Sequence, residues 1–234
     1  MILCIETGTD ICSVGIAENG ELVSLRESDE GRDHARKVGV FVDEILKENR
    51  LDPDDLDAVA VGKGPGSYTG LRIAVSLAKG ICYATGKPLI AVNSLEALVQ
   101  VALEDFEAGI LDLESLEDAK LLPMIDARRM EVYCQLFDAQ ARPLSEVEAH
   151  VLTAESFAAE RAQGRLVLFG NGAAKSKMLF TEPGVHYVDV TPSARGLVKP
   201  ATEALKIRKF ENVAYFEPFY LKNFVATSSS KKFF

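Results

Sequence analysis

The chain has 234 residues, of which 47 % are hydrophobic and 26 % charged, the balance of a globular protein with room for a sizeable core. That composition excludes intrinsic disorder, a collagen-like fibre and a disulfide mini-scaffold. The net charge of −9 excludes a uniformly basic nucleic-acid binder but leaves room for a local basic patch.

The first residues, Met1 to Glu6, have no basic region and no cleavage site of a secretory leader, and read as a strand. No apolar run nears the ~20 residues needed to span a bilayer, so a cytoplasmic protein without membrane contact is expected. Ile2–Glu6, Ile11–Ala17 and Leu22–Glu27 form three predicted antiparallel strands, the last two joined at Asn19-Gly20, a hairpin-turn signature. A helix is expected over His34–Asn49, with Ala35, Val38, Phe41, Val42, Ile45 and Leu46 on one face. Gly39 interrupts it, marking either close backbone approach or simple tolerance.

Asp57–Gly62 reads as a buried strand, Lys63–Gly70 as a loop and Leu71–Ala84 as a helix. The apolar arc of that helix spans about 200°, twice what one core-facing stripe needs, so it is buried between two layers or against a partner. Lys87–Val92 is a further strand, and Asn93-Ser94 caps a helix through Leu103. The acidic, weakly patterned stretch that follows separates two halves: an N-terminal lobe over 1–103, a connection over 104–120, a C-terminal lobe over 121–227 and a disordered tail over 228–234. In the second half, Leu121–Ile125, Glu131–Phe137 and Leu166–Phe169 are predicted strands. Thr153–Ser156 starts a short helix, Gly170–Ser176 leads into another, and Ser193–Lys209 is helical with a break near Gly196–Pro200. Mixed strands and helices in two halves indicate an α/β protein.

Three glycine-bearing turns follow strands, where backbone N–H groups can meet a phosphate. Glu6-Thr7-Gly8-Thr9 is an ordinary turn or a phosphate cradle. Gly64-Pro-Gly-Ser-Tyr-Thr-Gly70 is neither a P-loop nor a dinucleotide fingerprint; it is either a rigid lead into a helix or a ligand or partner contact, with Ser67 and Thr69 placed to cap or to bind. Gly170-Asn171-Gly172 lacks the second P-loop glycine. Asp126-Ala127-Arg128-Arg129 is either a charged hairpin turn or a pair of guanidinium forks for phosphate or carboxylate. His34, His150 and His186 lack metal-ligand spacing, so no metal is expected. The four cysteines, Cys4, Cys12, Cys82 and Cys134, read as small buried hydrophobes of a reducing compartment.

Ile2–Asp10 with Cys12-Ser-Val14, His34, Gly64–Ile73, Asp126–Arg129 with Glu131-Val-Tyr133, Gly170-Asn-Gly172 and Pro218-Phe-Tyr-Leu-Lys222 together resemble the TsaB/YeaZ family, in order and over nearly the whole chain. The resemblance implies an actin-like (ASKHA, ribonuclease H-like) fold of two lobes with mixed sheets. It implies a non-catalytic scaffold subunit for threonylcarbamoyl transfer to a tRNA adenosine, partnered by the catalytic paralogue TsaD and the ATPase TsaE, with tRNA met indirectly through the complex. The catalytic paralogue carries an H-x-x-x-H metal pair near His34; here Val38 stands in the second place. Actin-like ATPases carry Asp where this chain has Glu6. These departures leave weak ATP or ADP binding at Thr7, Gly8, Thr9, Gly170 and Gly172 as the only cofactor expectation and no catalytic residue. The alternative is an independent actin-fold ATPase or a peptidase-like hydrolase of the M22 type. The family also implies a homodimer of the isolated chain through Ala35, Val38, Gly39, Val42, Leu46, Leu71, Val75, Ala78 and Cys82, so Val42→Glu and Val75→Glu are expected to give folded monomers. Gly64, Gly66, Ser67, Thr69, Arg72, Asp126, Arg128 and Arg129 are the candidate loop and partner contacts.

Overall fold

The computed structural model describes residues 1–30 and 33–222; the expected tail over 228–234 and the end of the second lobe lie outside them. The chain opens with β1 (Ile2–Glu6), β2 (Cys12–Glu18) and β3 (Glu21–Ser28), followed by α1 (His34–Glu48), β4 (Ala58–Gly62), α2 (Tyr68–Thr85) and β5 (Leu89–Val92). Their sheet has the order β3-β2-β1-β4-β5, antiparallel through β1–β3 and parallel through β1, β4 and β5. After α3 (Ser94–Glu107) come β6 (Lys120–Asp126), β7 (Glu131–Cys134), β8 (Phe137–Asp138), β9 (Glu148–Val151), α4 (Ala158–Ala162), β10 (Leu166–Phe169) and β11 (Val185–Tyr187). The second sheet has the order β9-β7-β6-β10-β11, again antiparallel through β6, β7 and β9 and parallel through β6, β10 and β11. The two sheets therefore repeat one topology.

β1 is buried on both faces, which explains its unbroken apolar run. Leu3 and Ile5 point to one side and pack under α1 and α2; Ile2 and Cys4 point to the other, as the two-residue strand period dictates. That other face is covered by a 3-10 turn (Ala194–Leu197) and α5 (Val198–Lys206), through Leu197, Val198 and Ala201. The division at residue 121 thus needs correction: 194–206 packs on the first sheet, not the second. Ser13 holds it there, its Oγ accepting from the Ala194 N–H at 2.7 Å and donating to Glu27 at 2.7 Å. α3, conversely, lays Leu95, Leu98 and Val99 on the second sheet against Leu121, Val167 and Phe169.

Several elements differ from expectation for visible reasons. α2 starts three residues earlier than the predicted Leu71 because Ser67 caps it, Oγ accepting from the Gly70 N–H. α3 runs past Leu103 into the acidic stretch because Asp105 is buried and accepts both hydrogen bonds of Arg195 Nη2, at 2.8 and 2.9 Å. The strand expected over Glu131–Phe137 divides at Gln135-Leu136, where the chain turns to bond Ser145. Thr153–Ser156 closes a turn instead of starting a helix, and Gly170–Ser176 yields only a 3-10 turn at Ala173–Ser176. Pro200 lies inside the first turn of α5, where its missing N–H costs no helical bond.

The helix faces also need correction. Val38, Val42, Leu46, Leu71, Val75, Ala78 and Cys82 are all buried in the core of their own lobe. Val42 is 7 % and Val75 4 % exposed, so Val42→Glu or Val75→Glu would bury an unpaired carboxylate and unfold the lobe. Of the expected contact residues only Ala35 and Gly39 face outward. The second apolar row of α2 is instead Ile73, Leu77 and Ile81, half-buried at the rim of the core.

Candidate functional site

A cleft of about 670 Å³ opens between the lobes. Its walls are the β1–β2 turn, the loop into α2, the β6–β7 turn, Asn171 and the segment over 219–222.

The β1–β2 turn is held from three sides. Glu6, 2 % exposed, folds back beneath it. Its Oε1 accepts from the Gly8 N–H at 2.6 Å and its Oε2 accepts from Ser94 Oγ at 3.0 Å. Burial raises the Glu6 carboxyl above its ordinary value, and the hydrogen bonds of Gly8, Ser94 and Thr7 work against that rise. A Cβ on Gly62 would stand 2.0 Å from Glu6 Oε2, so glycine at 62 makes room for the longer acid. Thr7 Oγ1 donates to the Gly70 carbonyl at 2.8 Å, and the Ser67 N–H donates to the Gly8 carbonyl at 2.7 Å. His34 Nε2 donates to the Thr9 carbonyl at 2.7 Å, so that nitrogen carries a proton. Gly8 and Thr9 reach the cleft wall; Thr7 does not.

The glycines of the loop into α2 answer to this turn. A Cβ on Gly66 would lie 2.3 Å from the Gly8 carbonyl oxygen, and one on Gly70 would lie 2.0 Å from that of Thr7. Backbone meets backbone there, and only glycine fits. Ser67 and Thr69 line the cleft, whereas Gly64 and Arg72 do not. Arg72 lies over the Tyr68 ring at 5.3 Å, and the Tyr68 and Tyr220 rings pack together at 4.9 Å, tilted by 36°. Gly170 and Gly172 sit behind the wall, packed on β6: the Gly172 N–H donates to the Met124 carbonyl at 2.9 Å, and a Cβ on Gly170 would lie 2.5 Å from the same oxygen. Asn171 between them faces the cleft and accepts from the Asp126 N–H at 2.9 Å.

The β6–β7 turn carries Arg128 and Arg129 at φ +72° and +50°, a left-handed pair that costs about 1–2 kcal/mol per residue. Asp126 stabilises it by accepting from the Arg128 N–H at 2.5 Å, and also accepts from Lys175 Nζ at 2.8 Å. Lys222 donates to the Glu131 carboxylate, tying the last described residue to the second lobe. Upstream, the same segment pairs Glu211 with Leu89, lays Val213 and Phe216 on the first core and donates from the Phe219 N–H to the Lys63 carbonyl at 2.8 Å. It therefore straps both lobes. Sequence reasoning does not single out Tyr68, Tyr220, Glu131 and Asn171 as cleft residues or Lys175 as the partner of Asp126; the Pro218–Lys222 motif is the signal for the strap.

Among the described residues no three His, Cys, Asp or Glu side chains converge as a metal site. Glu148, His150 and Ser156 lie in line, with Glu148 Oε1 to His150 Nδ1 at 3.1 Å and His150 Nε2 to Ser156 Oγ at 2.8 Å. This arrangement has the distances of an acid–base–nucleophile set. Yet Ser156 is buried, accepts from the Thr153 N–H at 2.9 Å and is no part of the wall of the adjoining pocket of about 420 Å³. Its work is to close the turn after β9.

Residues 28–215 match the family model of TsaD, tRNA N6-adenosine threonylcarbamoyltransferase. The chain is 31 % identical to the tRNA threonylcarbamoyladenosine biosynthesis protein TsaB of Escherichia coli, over 96 % of this chain and 96 % of that protein. It is 33 % identical to TsaB of Haemophilus influenzae over 56 % of this chain and 51 % of that protein, a match spanning about half of the relative's length. The structure of YeaZ from Pseudomonas aeruginosa superimposes with a TM-score of 0.76 at 25 % identity, covering 94 % of this chain and 99 % of that one. With its repeated sheet topology, the two-lobed fold is the actin-like one that the sequence resemblance implies. The chain belongs to the TsaB/YeaZ family of tRNA threonylcarbamoyladenosine biosynthesis proteins.

Proposed function

We propose that this chain is a non-catalytic scaffold subunit, cytoplasmic, that pairs with the paralogous threonylcarbamoyltransferase TsaD and forms a homodimer when alone. The observation that carries this reading is the outward side of α1 and α2. Ile73, Leu77 and Ile81 make a half-buried apolar row on α2, with exposed Gly80 and Tyr83 on that helix and exposed Ala35, Gly39 and Val40 on α1. Large exposed apolar patches mark association surfaces, and glycines there let a partner helix approach closely. Burial of Glu6 supports the non-catalytic half of the reading: its carboxylate is spent on the turn beneath the cleft and takes no part in phosphoryl transfer. ATP or ADP therefore binds this chain weakly at most, and the ATPase TsaE supplies nucleotide hydrolysis to the complex.

The test is Leu77→Glu, measured by sedimentation of the chain alone and mixed with the paralogue, with tRNA modification as the activity readout. A variant that unfolds at the wild-type temperature, sediments as a monomer, fails to join the paralogue and loses modification agrees with the reading. Unchanged association of this folded variant refutes the surface, and phosphate release by the isolated wild-type chain refutes the scaffold role.

A further inference from the structure

The cleft between the lobes has no part in that pairing surface, and its chemistry points to an occupant of its own. The glycine-rich turns around it offer few N–H groups to a phosphate. The Gly8 N–H goes to Glu6, that of Gly64 to Ser94, that of Ser67 to the Gly8 carbonyl, that of Gly70 to Ser67 and that of Gly172 to Met124. These internal bonds withdraw five N–H groups from any backbone phosphate cradle of the kind that holds nucleotides. The cations of the β6–β7 turn are arranged in the opposite way. Lys175 pairs with Asp126 and Lys222 with Glu131, so of the carboxylates on the cleft wall only Asp10 has no ion-pair partner among the described residues. Arg128 and Arg129, both exposed on the cleft wall, have no ion-pair or side-chain hydrogen-bond partner among the described residues. Their two positive charges exceed the single unpaired carboxylate of that wall, on a chain whose net charge is −9, and the left-handed turn places both residues at the cleft. The same cleft carries the tilted Tyr68–Tyr220 ring pair, with Arg72 against Tyr68.

Guanidinium forks for phosphodiesters and an aromatic platform for a base are the two parts of a single-strand nucleic-acid site. We infer that the cleft binds a single-stranded segment of RNA, with backbone phosphates at Arg128 and Arg129 and a base stacked on Tyr220. RNA is chosen over an acidic peptide because the aromatic pair has no role in reading carboxylates, and the choice rests on the reading of this chain as a tRNA-modification subunit.

The experiment uses the full chain, alone and mixed with the paralogue, and a fluorescein-labelled oligoribonucleotide of mixed sequence, followed by anisotropy across a salt series. Arg128→Gln with Arg129→Gln should weaken binding at least about tenfold and flatten the dependence of log K on log salt by about 1.4, two phosphates at ~0.7 each. Tyr220→Leu should weaken binding with the salt slope unchanged. Arg128→Lys with Arg129→Lys should keep the slope and recover part of the affinity. Equal affinity and equal slope for wild type and the Gln pair overturn the inference, as does absence of RNA binding in both settings. If the Gln pair loses the paralogue but keeps RNA, the turn is a protein contact and the inference falls. If the paralogue never associates while the Arg pair still governs RNA binding, the cleft inference stands and the pairing reading falls.

Discussion

Gly39 and Gly80 each sit in the middle of an exposed helix face, and a methyl group added at either meets no atom within 4 Å. Glycine there gives up about 0.5–1 kcal/mol of helix stability against alanine with no internal packing to offset it. Gly39→Ala with Gly80→Ala should therefore stabilise the isolated chain by roughly 1–2 kcal/mol. At about 2–4 °C per kcal/mol for a chain of this size, the melting temperature should rise by roughly 2–8 °C. The measurement is a thermal scan at a concentration where sedimentation finds the chain monomeric, since dimerisation itself raises apparent stability. Sedimentation of the same variant should show weaker self-association, because the added methyls hold a partner helix off. Gly70→Ala is the control, since its methyl would lie 2.0 Å from the Thr7 carbonyl oxygen and must lower the melting temperature. A fall in melting temperature for the Gly39 and Gly80 variant would refute the reasoning on exposure; a rise with unchanged association would refute the role given to this face.

Two further outcomes follow from buried titratable groups. Burial raises the Glu6 carboxyl above 4.5 in the folded state, so its contribution to stability is fullest below the unfolded value and is lost as pH climbs from there through the raised folded value. Glu6→Gln should consequently gain stability relative to wild type as pH rises from about 4 to 7, in urea titrations at several pH values; a difference that is flat or falls with pH would show that the hydrogen bonds outweigh burial. The thiols of Cys12 and Cys82 are pushed up to about 11 and those of Cys4 and Cys134 to about 12, mainly by burial. None should react with a disulfide reagent at pH 8 in the folded chain, and all four should react in denaturant; fast labelling of the native protein would show that a core face opens.

The sequence by itself carried the elements whose periodicity is strong. β1 to β5 and the first three helices were readable from apolar runs, the Asn19-Gly20 turn and the Asn93 cap, and the ordered set of motifs carried the family. Periodicity says which residues share a face, but not what covers that face. Val42 and Val75 share the apolar stripes of their helices whether the sheet or a second protein lies against them; only the packed lobe shows that the sheet takes them and leaves Ile73, Leu77 and Ile81 at the rim. β9 was missed because none of its residues is fully buried, so it has no apolar pattern to read, and its place comes from pairing with β7. Residues 194–206 look like the end of the second half in sequence, yet a strand face left bare by α1 and α2 draws them back to the first sheet. Glu6 reads only as a departure from the Asp of actin-like ATPases, and Gly62 and Ser94, distant in sequence, make the pocket that holds its carboxylate. Local chemistry decided what each segment could become, and the long-range contacts that satisfy buried polar groups and cover apolar faces decided what each residue is used for.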